Sequence, residues 1–334
     1  MATHTGLTSA VLSYKTPEAL ISEFEPPPDR ANFADPKKAS LFSGASKVDD
    51  LTPWVGTELH GLQINQLTNA QRDELALLVA ERGVVFLRGQ DWTLDEQYEL
   101  TKYWGVVSSI EQSGADRGYA NFGNDFHNDH SFEVNPPAYT ILRMDRSPPT
   151  GGDTIFTSQV ALYDKLSTTY QKLLEGLHGV HSSEVSYINV INGGGQAFRP
   201  PTRQTHPLVR THPVTKLKSL YYNPTIMIHI QELKEQEGAH MLAFLREHMH
   251  SADDLTVRWR WTPGAVAIWD NRSVAHRAVT GGYDKTLREG KRTAIFGEVP
   301  FYDPTGQTWS ERFNSKEFQD TEGFDYAKKG ATAQ

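Results

Sequence analysis

His127-Asn128-Asp129 is a His-x-Asp triplet, and on an extended segment residues two apart point to the same side, so both side chains can reach one ion. A third ligand must come from elsewhere in the chain. His276, in the run Trp269-Asp270-Asn271-Arg272-Ser273-Val274-Ala275-His276, follows a buried-looking strand by a short loop and is the best candidate. Two imidazoles and one carboxylate on one side of a metal leave three positions open, the arrangement with which non-haem iron(II) sites bind a co-substrate and O2 together. Taken alone the triplet is weak evidence: a chain with 13 histidines produces such spacings by chance, and a surface hydrogen-bonding turn is the bland alternative.

Composition narrows the chemistry. The chain has 334 residues and no cysteine, so thiolate metal sites, disulfide frameworks and cysteine nucleophiles are excluded, and any metal is held by nitrogen and oxygen. With 38% hydrophobic and 22% charged residues it falls in the range of a folded globular protein. A formal charge of -8 argues against a broad grip on nucleic acid or an anionic membrane, because both need a positive surface. The N-terminus has no basic region followed by a long apolar run, and no stretch approaches the roughly 20 apolar residues of a membrane span, so the cytosol is the expected location.

The elements that must position these residues are partly legible. Residues 1–50 read as an extended N-terminal segment, rich in Pro and charge, wrapped over a single domain that starts near Leu51 and runs to the end of the chain. Asn69 to Arg82 has the pattern of a helix closed by Gly83, and Val84 to Leu87 that of a strand. Thr93 and Glu96 form a capping-box pattern opening a helix to about Trp104. Short strand-like runs follow at Tyr139–Met144, Thr154–Thr157, Leu208–Thr211, Leu220–Tyr222, Leu255–Trp261, Ala265–Trp269 and Thr293–Val299, with helical patterns at Gln159–Leu177 and Leu233–His250. Many short strands separated by turns predict a mostly β fold with flanking helices, an antiparallel sandwich or jelly roll. Ser182 to Thr205, with Gly193-Gly194-Gly195 and Pro200-Pro201, is too long and glycine-rich for an ordinary connection and is expected to be a lid.

The motifs taken together resemble the taurine/2-oxoglutarate dioxygenase (TauD/TfdA-like) family from about Val55 to Tyr302, and within it the fungal-type sulfonate dioxygenase-like members. Phe126-His127-Asn128-Asp129 resembles the family's first metal motif, followed by Pro136-Pro137-Ala138 and then by Gly151-Gly152-Asp153-Thr154. Val257-Arg258-Trp259-Arg260-Trp261 and Ala267-Ile268-Trp269-Asp270-Asn271-Arg272 resemble later strands, with His276 where the distal ligand belongs, and Lys291-Arg292-Thr293-Ala294 resembles the stretch carrying the co-substrate arginine. Several motifs in the right order are specific where one is not. The resemblance implies a double-stranded β-helix core, Fe(II) held by His127, Asp129 and His276, and 2-oxoglutarate and O2 as co-substrates. It further implies that Arg292 grips the far carboxylate of 2-oxoglutarate with a hydrogen bond from Thr154. Arg288, four residues earlier, is a candidate helper. The implied reaction oxidises an unactivated C–H bond with release of succinate and CO2.

The substrate is less legible. Sulfonate-oxidising members use a histidine just after a Trp-Gly motif. Here Trp104-Gly105-Val106-Val107 leads into Ser108-Ser109-Ile110-Glu111 with no histidine, which puts taurine itself in doubt. Ser108, Ile110, Tyr187 and Ile226 are expected near the substrate by loose matching to pocket-lining segments. The expected substrate is a small molecule, an amino acid or a secondary-metabolite precursor, that is hydroxylated, desaturated or cyclised; an alkylsulfonate is the alternative. Two rivals share the scaffold: a non-catalytic jelly-roll binding protein and a protein-modifying oxygenase. Asp270 and Asn271 are expected either to orient His276 or to cap a turn, and His206, His212, His240, His248 and His250 to be structural or solvent-facing. Related folds associate, so a homo-oligomer is expected by analogy.

Overall fold

The computed structural model describes residues 22–113, 125–192 and 200–313. In chain order the strands are β1 (Lys47–Asp50), β2 (Thr57–His60), β3 (Val84–Leu87), β4 (Val107–Ser113), β5 (Pro137–Arg146), β6 (Thr154–Ser158), β7 (His178–Ser182) and β8 (Arg203–Pro207). They continue with β9 (Val209–Thr211), β10 (Lys218–Leu220), β11 (Met227–Ile230), β12 (Thr256–Trp259), β13 (Ala265–Asp270), β14 (Val274–Ala278) and β15 (Glu289–Phe296). A seven-stranded sheet of order β1-β2-β3-β13-β5-β15-β4 faces a three-stranded sheet of order β12-β6-β14, with β11-β7-β8 and β10-β9 completing the fold. Apart from the β2–β3 pair, the described ladders are antiparallel. This is the jelly roll with flanking helices that the resemblance implies.

The period-2 alternation of β5 sets the layers. Ile141 packs with Val85, Val266 and Ile268 beneath Leu75, Leu78 and Val79 of the Asn69–Arg82 helix. Leu142 and Met144 turn to the opposite side, into a core of Phe86, Phe156, Trp259, Trp261 and Trp269 between the seven-stranded sheet and the small β12-β6-β14 sheet. Each fully buried side chain of this size stabilises the fold by about 1.5–3 kcal/mol relative to exposure. A third cluster, including Phe126, Leu162, Leu208, Leu245 and Ala275, lies outside the small sheet.

Local signals act as expected at two helices. Thr68 and Gln71 form a capping box at Asn69–Arg82, and Thr93 and Glu96 form another at Leu94–Trp104. Gly83 ends the first helix at φ 72°, and a Cβ there would stand 2.3 Å from Val274 Cγ2, so the missing side chain also lets β14 approach. Elsewhere the structure differs from expectation. The predicted helix Gln159–Leu177 is two helices, Gln159–Asp164 and Thr168–Leu174, because Ser167 caps the second by accepting from the Tyr170 N–H. The last strand is Glu289–Phe296 rather than Thr293–Val299.

The chain joins the large sheet before Leu51, since β1 pairs β2 from Lys47 onward. Upstream, Phe24 exchanges two backbone hydrogen bonds with the Asn135 side chain, and Arg30 binds Asp73 through two N–H groups. The expected lid holds a helix, Glu184–Asn192, while Gly193, Gly194 and Gly195 lie outside the described residues.

Candidate metal centre

His127 and His276 are brought together by backbone pairing. Each donates its N–H to the other's carbonyl at 2.9 Å, an isolated antiparallel bridge that adds the His127 segment to the edge of β14. Directly opposite residues of an antiparallel pair share a face, and the two imidazole centroids lie 4.3 Å apart. Asp129, two residues beyond His127, points the same way: its Oδ1 is 4.0 Å from His127 Nε2 and 3.9 Å from His276 Nε2. Among the described residues this is the one group of three or more His, Asp or Glu side chains close enough to hold a metal, with ligand atoms within 4.8 Å of one another. His130 then takes φ 43°, and the Glu133 N–H donates to its carbonyl, turning the chain away from the site.

The protonation states suit a metal. His127 Nδ1 lies 3.1 Å from the Asp125 carbonyl, which accepts only, so Nδ1 carries the proton and Nε2 presents a lone pair. Burial lowers the His127 pKa despite Asp129, and burial together with His127 pushes His276 down to about 3. Both rings are therefore neutral near pH 7, as metal ligands must be. Burial alone would raise Asp129, but the Arg292 guanidinium beside it leads the opposing charges and the carboxyl is held below its ordinary value. Two imidazole nitrogens and a carboxylate oxygen thus converge in a buried place where a cation is the natural partner. Ligands bound cis to one ion at about 2.1 Å sit about 3 Å apart, so closing on a metal needs shifts of about 1 Å.

A closed set of hydrogen bonds holds Asp129. Its backbone N–H and Trp269 Nε1 both donate to Asn271 Oδ1, each at 3.1 Å. Asn271 Nδ2 donates to Thr140 Oγ1 at 2.9 Å, and the Thr140 hydroxyl donates to Asp129 Oδ2 at 2.8 Å. Asn128, between the two ligands, is anchored by donating to Gln159 Oε1 and to the carbonyls of Asn271 and Val274. The expectation that Asp270 or Asn271 orients His276 therefore needs correction. Asn271 serves Asp129, Asp270 pairs with Arg272 and His212, and His276 Nδ1 is buried without a hydrogen-bond partner. Sequence reasoning missed Thr140. Its one signal is a polar residue on the buried face that β5 otherwise fills with Leu142 and Met144.

The remaining expected residues scatter around this centre. On the β6–β14 ladder Phe156 pairs His276 and Thr154 pairs Ala278, so Thr154 lies on the His276 face on the neighbouring strand, two residues or about 6.6 Å along the strand direction. Trp261 Nε1 donates to Thr154 Oγ1, which leaves the threonine's own proton to give elsewhere. Arg288 Nε donates to the Gly152 carbonyl, two residues before Thr154, at 3.0 Å. Burial lowers its pKa, with Tyr283 and Asp153 opposing. Arg292, expected at the co-substrate's far end, instead has Nη1 2.5 Å from Asp129 Oδ1, the oxygen that faces both imidazoles. Its neighbour Thr293 faces the Leu94–Trp104 helix, where the Thr101 hydroxyl is 2.7 Å from its own.

Of the expected substrate residues, Ser108 is half-buried, while Tyr187 and Ile226 are buried, with the Tyr187 hydroxyl unpartnered. Ile226 belongs to the turn behind the metal loop, where the Asn223 side chain donates to the Asn128 carbonyl and to Ser131 Oγ. Ile110 pairs Thr293 through the backbone, and its side chain lies outside those described. His212 is fully buried against Asp270, and His206 Nε2 donates to the Glu133 carbonyl. His248 is half-buried on the Leu162 carbonyl, whereas His240 and His250 are exposed. No helix among the described residues is long and apolar enough to cross a membrane.

Comparison with known proteins supplies a family. The profile of a family described as "Taurine catabolism dioxygenase TauD, TfdA family" matches residues 47–294. The chain is 36% identical to an alpha-ketoglutarate-dependent sulfonate dioxygenase of Saccharomyces cerevisiae, over 84% of this chain and 75% of the relative. It is also 36% identical to the alpha-ketoglutarate-dependent dioxygenase cnsM of Penicillium expansum, over 81% of this chain and 84% of the relative. Among solved structures, a taurine dioxygenase from Burkholderia xenovorans superposes with a TM-score of 0.66 at 30% identity, covering 78% of this chain and 94% of that one.

Proposed function

We propose, from the premise that the chain belongs to the taurine catabolism dioxygenase TauD, TfdA family and is thus an Fe(II)- and 2-oxoglutarate-dependent dioxygenase, a division of labour among its polar residues. His127, Asp129 and His276 hold the iron. The observation that carries this is the convergence of two neutral imidazoles and one carboxylate on a single buried point. When bound, Fe(II) with 2-oxoglutarate and O2 supplies the oxidising power that breaks a C–H bond, with release of succinate and CO2.

Thr154 and Arg288 receive the far carboxylate of 2-oxoglutarate. Three carbon–carbon bonds of about 1.5 Å separate its keto carbon from that carboxyl, so the carboxylate reaches about 4–5 Å past the metal-binding end. Thr154 lies in that direction along the ladder from His276, with a hydroxyl proton to give and Arg288 on the adjoining Gly152 carbonyl. A guanidinium keeps its charge when desolvated, and its planar fork can take both carboxylate oxygens. This reading exchanges the two arginines relative to the sequence expectation. The contact of Arg292 with Asp129 puts it at the metal end, where it suits an acidic group on the substrate.

The substrate is then a small molecule carrying a carboxylate, such as an amino acid or a secondary-metabolite precursor, oxidised by hydroxylation, desaturation or ring closure. An alkylsulfonate is the second reading, favoured by the similarity to the yeast sulfonate dioxygenase, and Arg292 would serve either anion. A succinate-release screen of amino acids against alkylsulfonates decides between them. Turnover with sulfonates and none with carboxylates overturns the first.

A further inference from the structure

The Asn271 side chain has no freedom in how it is read. Its Oδ1 accepts from two groups that can only donate, the Asp129 backbone N–H and Trp269 Nε1, so the other end must be the amide nitrogen. That nitrogen donates to Thr140 Oγ1, and the threonine's single proton is thereby directed to Asp129 Oδ2. Every member is buried: Thr140 is 0% exposed, Asn271 1%, Trp269 2% and Asp129 3%. The ring of hydrogen bonds thus fixes the roles of the two carboxylate oxygens. Oδ2 is occupied by a hydroxyl, and Oδ1, which also meets Arg292 Nη1, is the atom turned toward His127 and His276.

From this we infer that Thr140, held by Asn271, is a positioning residue that restricts Asp129 to a single metal-facing oxygen. The inference rests on the proposed role of His127, Asp129 and His276 as the iron ligands. Its chemical consequence is the number of positions the metal has left. Three protein donor atoms on a six-coordinate ion leave three positions, two for the keto-acid end of 2-oxoglutarate and one for a further ligand. A carboxylate free to swing onto the ion with both oxygens takes one of these. Loading with 2-oxoglutarate would then leave none. Thr140 preserves the third position by giving Oδ2 a better-placed partner.

The test counts water on the metal. Mn(II) replaces iron in the full-length protein, and the broadening of its electron paramagnetic resonance lines in 17O-enriched water reports the bound waters. Wild type is expected to show three waters, falling to one with 2-oxoglutarate; Thr140→Val is expected to show two, falling to none, and Thr140→Ser to restore the wild-type counts. Thr140→Ala is read in place of Thr140→Val should the valine variant fail to give a cooperative melt. A wild-type water count in both hydroxyl-free variants overturns the inference while leaving the metal site standing. Failure of wild type to take up Mn(II) at all, with no change on His276→Ala, overturns the underlying site instead.

Discussion

Trp269-Asp270-Asn271-Arg272, at the end of β13, sends side chains alternately to two sides of the large sheet, and the two polar networks that result are built differently. On the outer side Arg272 takes both oxygens of Asp270, through Nε at 2.8 Å and Nη2 at 2.6 Å, and reaches Asp29 of the N-terminal arm at 2.8 Å. Tyr139 donates to Asp29, and His212 accepts at Nδ1 from the Val214 and Thr215 N–H groups, which leaves Nε2–H to donate to Asp270. Here each carboxylate faces a guanidinium, a hydroxyl or an imidazole N–H. On the inner side Trp269 and Asn271 help gather three ligand atoms within 4.8 Å of one another, and one guanidinium, that of Arg292, meets only the Asp129 oxygen of the three. Burying mutually repelling acceptors costs stability, which a purely structural site would avoid. A saturated network marks scaffold, and an acceptor-rich one marks the place where a cation belongs.

Single substitutions on each side sharpen that contrast. The largest effect is on the inner side: Asp129→Ala is expected to abolish Fe(II)-dependent succinate release, a loss of at least about a thousandfold, and to lower the melting temperature of the metal-free protein as well, since Arg292 loses its partner. Retained turnover would break the comparison. On the outer side Arg272→Ala leaves Asp270, Asp29 and Glu298 without their shared cation and is expected to destabilise the protein by about 3–5 kcal/mol in chemical unfolding. The folded fraction should still bind metal one to one. Metal loss without destabilisation would mean that the outer network belongs to the site.

Much of this was legible in residue types, and the limit has a physical form. Gly83, Thr68, Thr93 and the alternation of Val84–Leu87 act within a few residues, and the elements they predict are present. The Gln159–Leu177 pattern hid a break at Ser167, because an apolar face continues across a capped interruption. At the site, the ligand triplet was visible because His127 and Asp129 are local in sequence. Position alone does not divide roles between the two arginines: Arg288 donates to the Gly152 carbonyl just before β6 and Arg292 to Asp129, and which partner each side chain meets is a tertiary property. Thr140 was invisible as a role because its meaning depends on Asn271, 131 residues away.

The arginine pair yields an intermediate effect. Arg288→Ala is expected to raise the KM for 2-oxoglutarate by about 10- to 100-fold, the loss of about 1.5–3 kcal/mol of charged hydrogen bonding, whereas Arg292→Ala changes it by less than about threefold and weakens the organic substrate instead. Initial-rate kinetics with each substrate varied separately decides this, and the opposite split restores Arg292 as the co-substrate arginine.

A smaller effect comes from pH and ignores the division between the two networks. Burial, with Arg210 repelling the charged form, lowers His206 to about 3. The unfolded chain, with an ordinary histidine near 6.5, binds more protons between these values, so stability falls as pH falls through about 6.5. From pH 7 to pH 5 the loss from this one group is about 2 kcal/mol, and His206→Gln is expected to flatten the pH dependence of the melting temperature by the corresponding amount. An unchanged slope would show that His206 is not held neutral.

The most direct measurement is an anaerobic titration of the purified protein with Fe(II), then 2-oxoglutarate, followed by visible absorption. A metal-to-2-oxoglutarate charge-transfer band that saturates at one equivalent of each, and is absent from Asp129→Ala, is the predicted result. No band in the wild-type protein, or an undiminished band in the variant, would contradict the assignment of His127, Asp129 and His276 as the iron site.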